Sequence, residues 1–159
     1  MLSTEELDKG MVMLKTVWSA LAGSLVMYVI AIPFFLRDSA ITVAAATYEE
    51  LRMLLYIAAG LTLAASWLVR RLLLTVRTSP TKSSRSRQHP VIQRYTTTMI
   101  VVLAMTEAIA IYGLILFLLG KNQTDLLLFS ALAAAAMIFY FPRKTELIDL
   151  EKKVTSLCN

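Results

Sequence analysis

The hydrophobic positions of this chain form long continuous blocks, not the three-and-four spacing of a half-buried helix. Four blocks stand out, at 17–35, 51–69, 99–119 and 126–141. A helix needs about 20 apolar residues to cross a hydrocarbon layer of roughly 30 Å. The pattern predicts an all-α integral membrane protein, a four-helix transmembrane bundle forming a single domain over residues 1–159.

The edges of the blocks carry helix signals. Ser3 and Glu6 have capping-box spacing, and Leu7, Met11, Leu14 and Trp18 recur at helical intervals. They predict a short amphipathic N-terminal helix leading into the first span. That span ends near Pro33, before Arg37 and Asp38, and Thr47 with Glu50 reads as a second capping box opening the next one. Arg52 can snorkel outward from there. Gly120, Lys121, Asn122 and Gln123 make so short a break that the last two spans must form an antiparallel hairpin. The fourth span closes on Phe139, Tyr140 and Phe141, an aromatic belt, and Leu147, Leu150, Val154 and Leu157 mark one face of an amphipathic C-terminal helix.

Composition sharpens the class. With 57% hydrophobic residues in 159, the chain has more apolar surface than a globular domain of this size buries, so the surplus must face lipid. The net charge of +5 lies at the ends of apolar blocks, which argues against nucleic acid as a partner. Thirteen of the sixteen Lys and Arg fall in the N-terminal tail, the basic loop 70–94 and the tail 143–159. The other side of a four-span arrangement holds only Arg37, Arg52 and Lys121, so the positive-inside rule puts both termini in the cytoplasm of a cell (inner) membrane protein. The opening Thr4-Glu5-Glu6-Leu7-Asp8 lacks the basic start of a secretory signal, so the first block is expected to be retained. A single cysteine, Cys158, precludes an intrachain disulfide and a cysteine-based metal site. No metal and no cofactor is expected, and no nucleophile–base pair or phosphate loop points to an enzyme.

One residue breaks the pattern. Glu107 lies near the centre of the third span, with no charged residue between Arg94 and Lys121. An acidic side chain at that depth costs about 2.5–3.5 kcal/mol on insertion scales, which makes it a functional-site candidate. Hydrocarbon disfavours the carboxylate, so a neutral acid that exchanges a proton when water or a cation arrives is expected. The alternative is a structural acid making one interhelical hydrogen bond. Ser24 and Tyr28 on the first span, Thr62 on the second and Ser130 on the fourth lie at matching depth and are candidate partners of the carboxyl.

The stretch Arg87-Gln88-His89-Pro90, then Thr96-Thr97-Thr98-Met99, then Glu107-Ala108-Ile109-Ala110-Ile111-Tyr112-Gly113-Leu114, resembles the second half of the c subunit, or proteolipid, of F-type ATP synthases. The resemblance covers mainly Arg87 to Gly120. It implies that Glu107 is the ion carrier and Tyr112 a hydroxyl that helps hold a neighbouring site. It also implies that Arg87, Gln88 and Pro90 belong to a polar loop that meets a rotor stalk. The first and fourth spans have no counterpart in the two-helix proteolipid, and bulky Leu61, Leu63, Trp67 and Leu68 interrupt the small-residue face that a tight ring needs.

The favoured function is therefore a c-subunit-like membrane protein that binds or carries a proton, or less readily a sodium ion, on Glu107. Its partners would be the lipid bilayer and a small homo-oligomer or other membrane subunits. A non-catalytic membrane scaffold or assembly protein, and a small proton-coupled exporter, remain open as alternatives.

Overall fold

The structure, a computed structural model, describes residues 4–35, 45–75 and 90–149. Four helices follow one another: α1 (Thr4–Phe35), α2 (Ala45–Thr75), α3 (Pro90–Gly120) and α4 (Gln123–Phe139). Residues 144–149 are also helical, and no strand occurs among the described residues. Three helices contain stretches long and apolar enough to cross a membrane, Leu7–Ile30, Ala46–Leu74 and Val91–Gly120. α4 has 17 residues, roughly 25 Å at about 1.5 Å per residue, and is the short member of the set. Large apolar side chains such as Met53, Ile30 and Leu61 are about two-thirds exposed, at 69%, 67% and 66%. Outward-facing residues of this kind on three long apolar helices fit a lipid surround, and the protein is membrane-embedded.

α3 is the central helix. It packs along α1, α2 and α4, and α1 also packs along α4, while α1 and α2 share no extensive contact. The main core draws Leu25 from α1, Leu55 and Ala59 from α2, Leu103, Ile109, Ala110 and Leu116 from α3, and Phe129, Ala133 and Met137 from α4. A second core closes the end at which α1 and α3 begin, here termed the near end. There Met11, Leu14, Val91, Ile92, Tyr95 and Met99 surround Leu147, which is 0% exposed.

The α3–α4 hairpin is built by local chemistry. Lys121 takes a left-handed conformation (φ 52°) and its amide donates to the Phe117 carbonyl at 2.7 Å, closing α3. Asn122 caps α4, its Oδ1 accepting from the Thr124 amide at 3.0 Å. Gly113 allows the two helices to approach, because a Cβ there would come within 2.6 Å of Phe129 Cβ.

The helices run further than the apolar blocks. The amphipathic lead-in is not a separate element: Thr4–Phe35 is continuous, and Met11 and Leu14 turn inward onto α3 and Leu147. Thr47 already lies inside α2, which begins at Ala45 in an alanine run of high helix propensity. Of the segment read as the basic loop, 70–75 and 90–94 are helical, because charged residues mark a membrane exit without ending a helix. Pro90 is the first residue of α3, where its missing N–H costs nothing. Arg87, Gln88, Leu150, Val154, Leu157 and Cys158 lie outside the described residues.

Candidate functional site

Glu107 is half-buried midway along α3 and faces α1. Two α1 hydroxyls one turn apart converge on a single carboxyl oxygen. Ser24 Oγ is 2.7 Å from Glu107 Oε1, and Tyr28 OH donates to the same oxygen at 3.1 Å. Ser24 Oγ also lies 2.6 Å from the Leu21 carbonyl oxygen. A serine hydroxyl has one proton, so it cannot donate fully to both oxygens.

The remaining candidates lie elsewhere. Tyr112 is on the α2 side of α3, where its hydroxyl is 3.5 Å from Thr62 Oγ1, and Thr62 itself donates to the Ala58 carbonyl at 2.8 Å. Ser130 is 5% exposed and its Oγ is buried without a hydrogen-bond partner. The structure therefore brings Ser24 and Tyr28 to Glu107, joins Thr62 with Tyr112, and leaves Ser130 apart from both.

At the far end of the bundle a second acid is more deeply buried than Glu107. Asp125, in the first turn of α4, is 1% exposed. It accepts from Tyr56 OH at 2.8 Å, Tyr48 OH at 3.1 Å, Asn122 Nδ2 at 3.1 Å and Arg52 Nη2 at 3.1 Å, with Arg52 Nε 3.0 Å away. Arg52, expected to snorkel outward, is 36% exposed and gives Nε and Nη2 to this carboxylate. The expectation considered Arg52 alone, whereas Tyr48, Arg52 and Tyr56 recur every four residues and so share one face of α2. That polar stripe in an apolar helix was the available signal for a buried partner. Tyr48, Tyr56, Asn122 and two of the three Arg52 nitrogens point at the carboxylate, while Arg52 Nη1 lies 3.7 Å from Glu49 Oε2, so the cluster is an ion-pair network that fastens α2 to α4.

Tyr140 also departs from its place in the aromatic belt. It is 3% exposed and its hydroxyl lies 3.1 Å from Ser66 Oγ, whereas Phe139 remains 66% exposed. Among the described residues no group of three or more His, Cys, Asp and Glu is placed to hold a metal ion.

The profile of the ATP synthase c-subunit family matches residues 83–119, which is well short of half the chain. That stretch is a c-subunit-like segment; it contains nearly all of α3, including Glu107 and Tyr112. No curated protein and no solved structure matches the chain.

Proposed function

We propose that this is a c-subunit-like multi-pass membrane protein whose mid-membrane carboxyl, Glu107, binds a proton. The observation that carries the proposal is the pair of contacts at Ser24. If Glu107 is a neutral acid, its own proton is donated to Ser24 Oγ, and the Ser24 proton is then free for the Leu21 carbonyl 2.6 Å away. Tyr28 supplies one further donor to Oε1. The protonated form thus satisfies every contact, and the carboxylate leaves two acceptors competing for one serine proton. The carboxyl lies in the c-subunit-like segment, which supports reversible protonation as its chemistry.

In this proposal α4 completes a fourth span, Lys and Arg hold both termini on the cytoplasmic side of the cell membrane, and the protein acts without catalysis, alone or as a small oligomer. Tyr112 with Thr62 would offer a second hydroxyl pair at a neighbouring depth. The Ser24 and Tyr28 bonds also suit an interhelical pin, the structural alternative.

The test uses a hydrophobic carbodiimide, which partitions into lipid and reacts with protonated acids. In native membranes it is expected to modify Glu107 in preference to the other ten acidic residues, and the adduct should vanish in Glu107→Gln. No adduct at Glu107, or equal modification of Glu49 and Glu146, would leave only the interhelical pin.

A further inference from the structure

The near end carries a polar cluster that the Glu107 chemistry does not use. Arg70 Nη2, on α2, lies 2.7 Å from Glu146 Oε2, and Tyr95 OH on α3 donates to the same oxygen at 3.1 Å. Tyr95 is fully buried and the Arg70 side chain is 15% exposed. The guanidinium lies 5.2 Å from the centre of the Tyr140 ring, and Tyr140 is fixed in turn by Ser66. Arg70 is therefore held in place from both sides.

One buried donor is left over. Arg70 Nε is buried and has no hydrogen-bond partner. The Nε and Nη2 groups of a guanidinium form a planar fork that matches two oxygens of one anion. Glu146 gives this fork one oxygen only. Its side chain is 36% exposed, so a change of rotamer withdraws it without moving the buried Leu147 next to it.

We propose that Arg70 and Tyr95 form an oxyanion site for a phosphate group, and that Glu146 occupies it as an internal surrogate. A phosphate presents oxygens to Nε and Nη2 together and still accepts from Tyr95, which satisfies the buried Nε. The site lies where α2 ends and α3 begins, with Arg71, Arg143 and Lys144 exposed at the same end. Cations at the end of a span attract anionic headgroups. The phosphate is that of an anionic lipid or a free phosphate; both present the same chemistry to the fork.

The full chain in detergent is offered phosphatidylglycerol and phosphatidylcholine and followed by native mass spectrometry, and titrated separately with inorganic phosphate while thermal unfolding is monitored. Glu146→Gln removes the competing charge and is expected to raise phosphatidylglycerol retention at least about tenfold, the scale of one charge-assisted hydrogen bond. Adding Arg70→Gln or Tyr95→Phe to Glu146→Gln should abolish or reduce that gain, Tyr95→Phe being the variant that keeps the shape of the core. A rise in unfolding temperature with inorganic phosphate, and no preference for phosphatidylglycerol, assigns the site to free phosphate. If Glu146→Gln matches the wild type with every probe, Glu146 is an ordinary ion-pair partner and the proposal fails. It fails equally if retention persists without Arg70 and Tyr95, since a diffuse basic surface then explains it.

Discussion

The phenol ring of Tyr48 lies against Gly120 so closely that a Cβ at position 120 would overlap it. Its hydroxyl reaches on to Asp125 at 3.1 Å, so the end of α3 and the anchoring of α2 on α4 depend on one bare backbone position. Gly→Ala inside a helix ordinarily gains up to about 1 kcal/mol. Here the ring must move, and overpacking costs about 1–3 kcal/mol. Gly120→Ala is therefore expected to lower the unfolding temperature in detergent, and a rise would show that the ring yields freely.

The two acid–base pairs at opposite ends should differ in consequence. Asp125 is 1% exposed and satisfies four residues, whereas Lys144 and Asp8 meet at 2.6 Å with side chains 53% and 60% exposed. Removing one partner of a buried pair costs about 3–5 kcal/mol, and Arg52, about a third exposed, recovers part of that from solvent. Asp125→Ala is expected to cost about 2–3 kcal/mol and Lys144→Ala less than about 1 kcal/mol. Chemical unfolding of the two variants side by side measures the difference.

At the mid-membrane site, Glu107→Gln keeps an acceptor for Tyr28 but loses the proton given to Ser24, and is expected to change stability by no more than about one intramembrane hydrogen bond, about 0.6 kcal/mol. Tyr28→Phe deletes one interhelical bond and should cost about 0.6 kcal/mol, the usual size within a bilayer. If Glu107→Gln unfolds the protein instead, the carboxyl is a structural element first.

The placement of the termini is tested with the native thiol. A membrane-impermeant reagent is expected to label Cys158 in inverted vesicles and to spare it in intact cells. Labelling of intact cells would reverse the orientation.

The pattern of apolar blocks made the helices legible, because lipid demands uninterrupted length and the first three helices have it, the fourth being shorter. Their ends were less legible: charges at Arg70 and Arg94 mark polarity, and a helix does not stop where polarity begins. Glu107 was conspicuous because nothing nearby in sequence could pair with it, and Ser24 and Tyr28 were within reach of counting residues from the span edges. Asp125 was hidden by its position beside Asn122, where an acid reads as an ordinary helix start. Its three α2 partners lie 69 to 77 residues away, and only the packing of α2 on α3 brings them over. Glu146 was concealed in the same way, as one more charge on an amphipathic tail.

The central place of α3 also sets a schedule for biosynthesis. α1 and α2 emerge from the ribosome first, yet their extensive packing is on α3, and for α1 also on α4, with little between the two. Until α3 has been inserted, the first half of the chain lacks its main packing partner. A protein truncated after Thr75 should therefore reach the membrane as two independent helices exposed to quality-control proteolysis. Stability would arrive in a single step with the helix that carries the carboxyl.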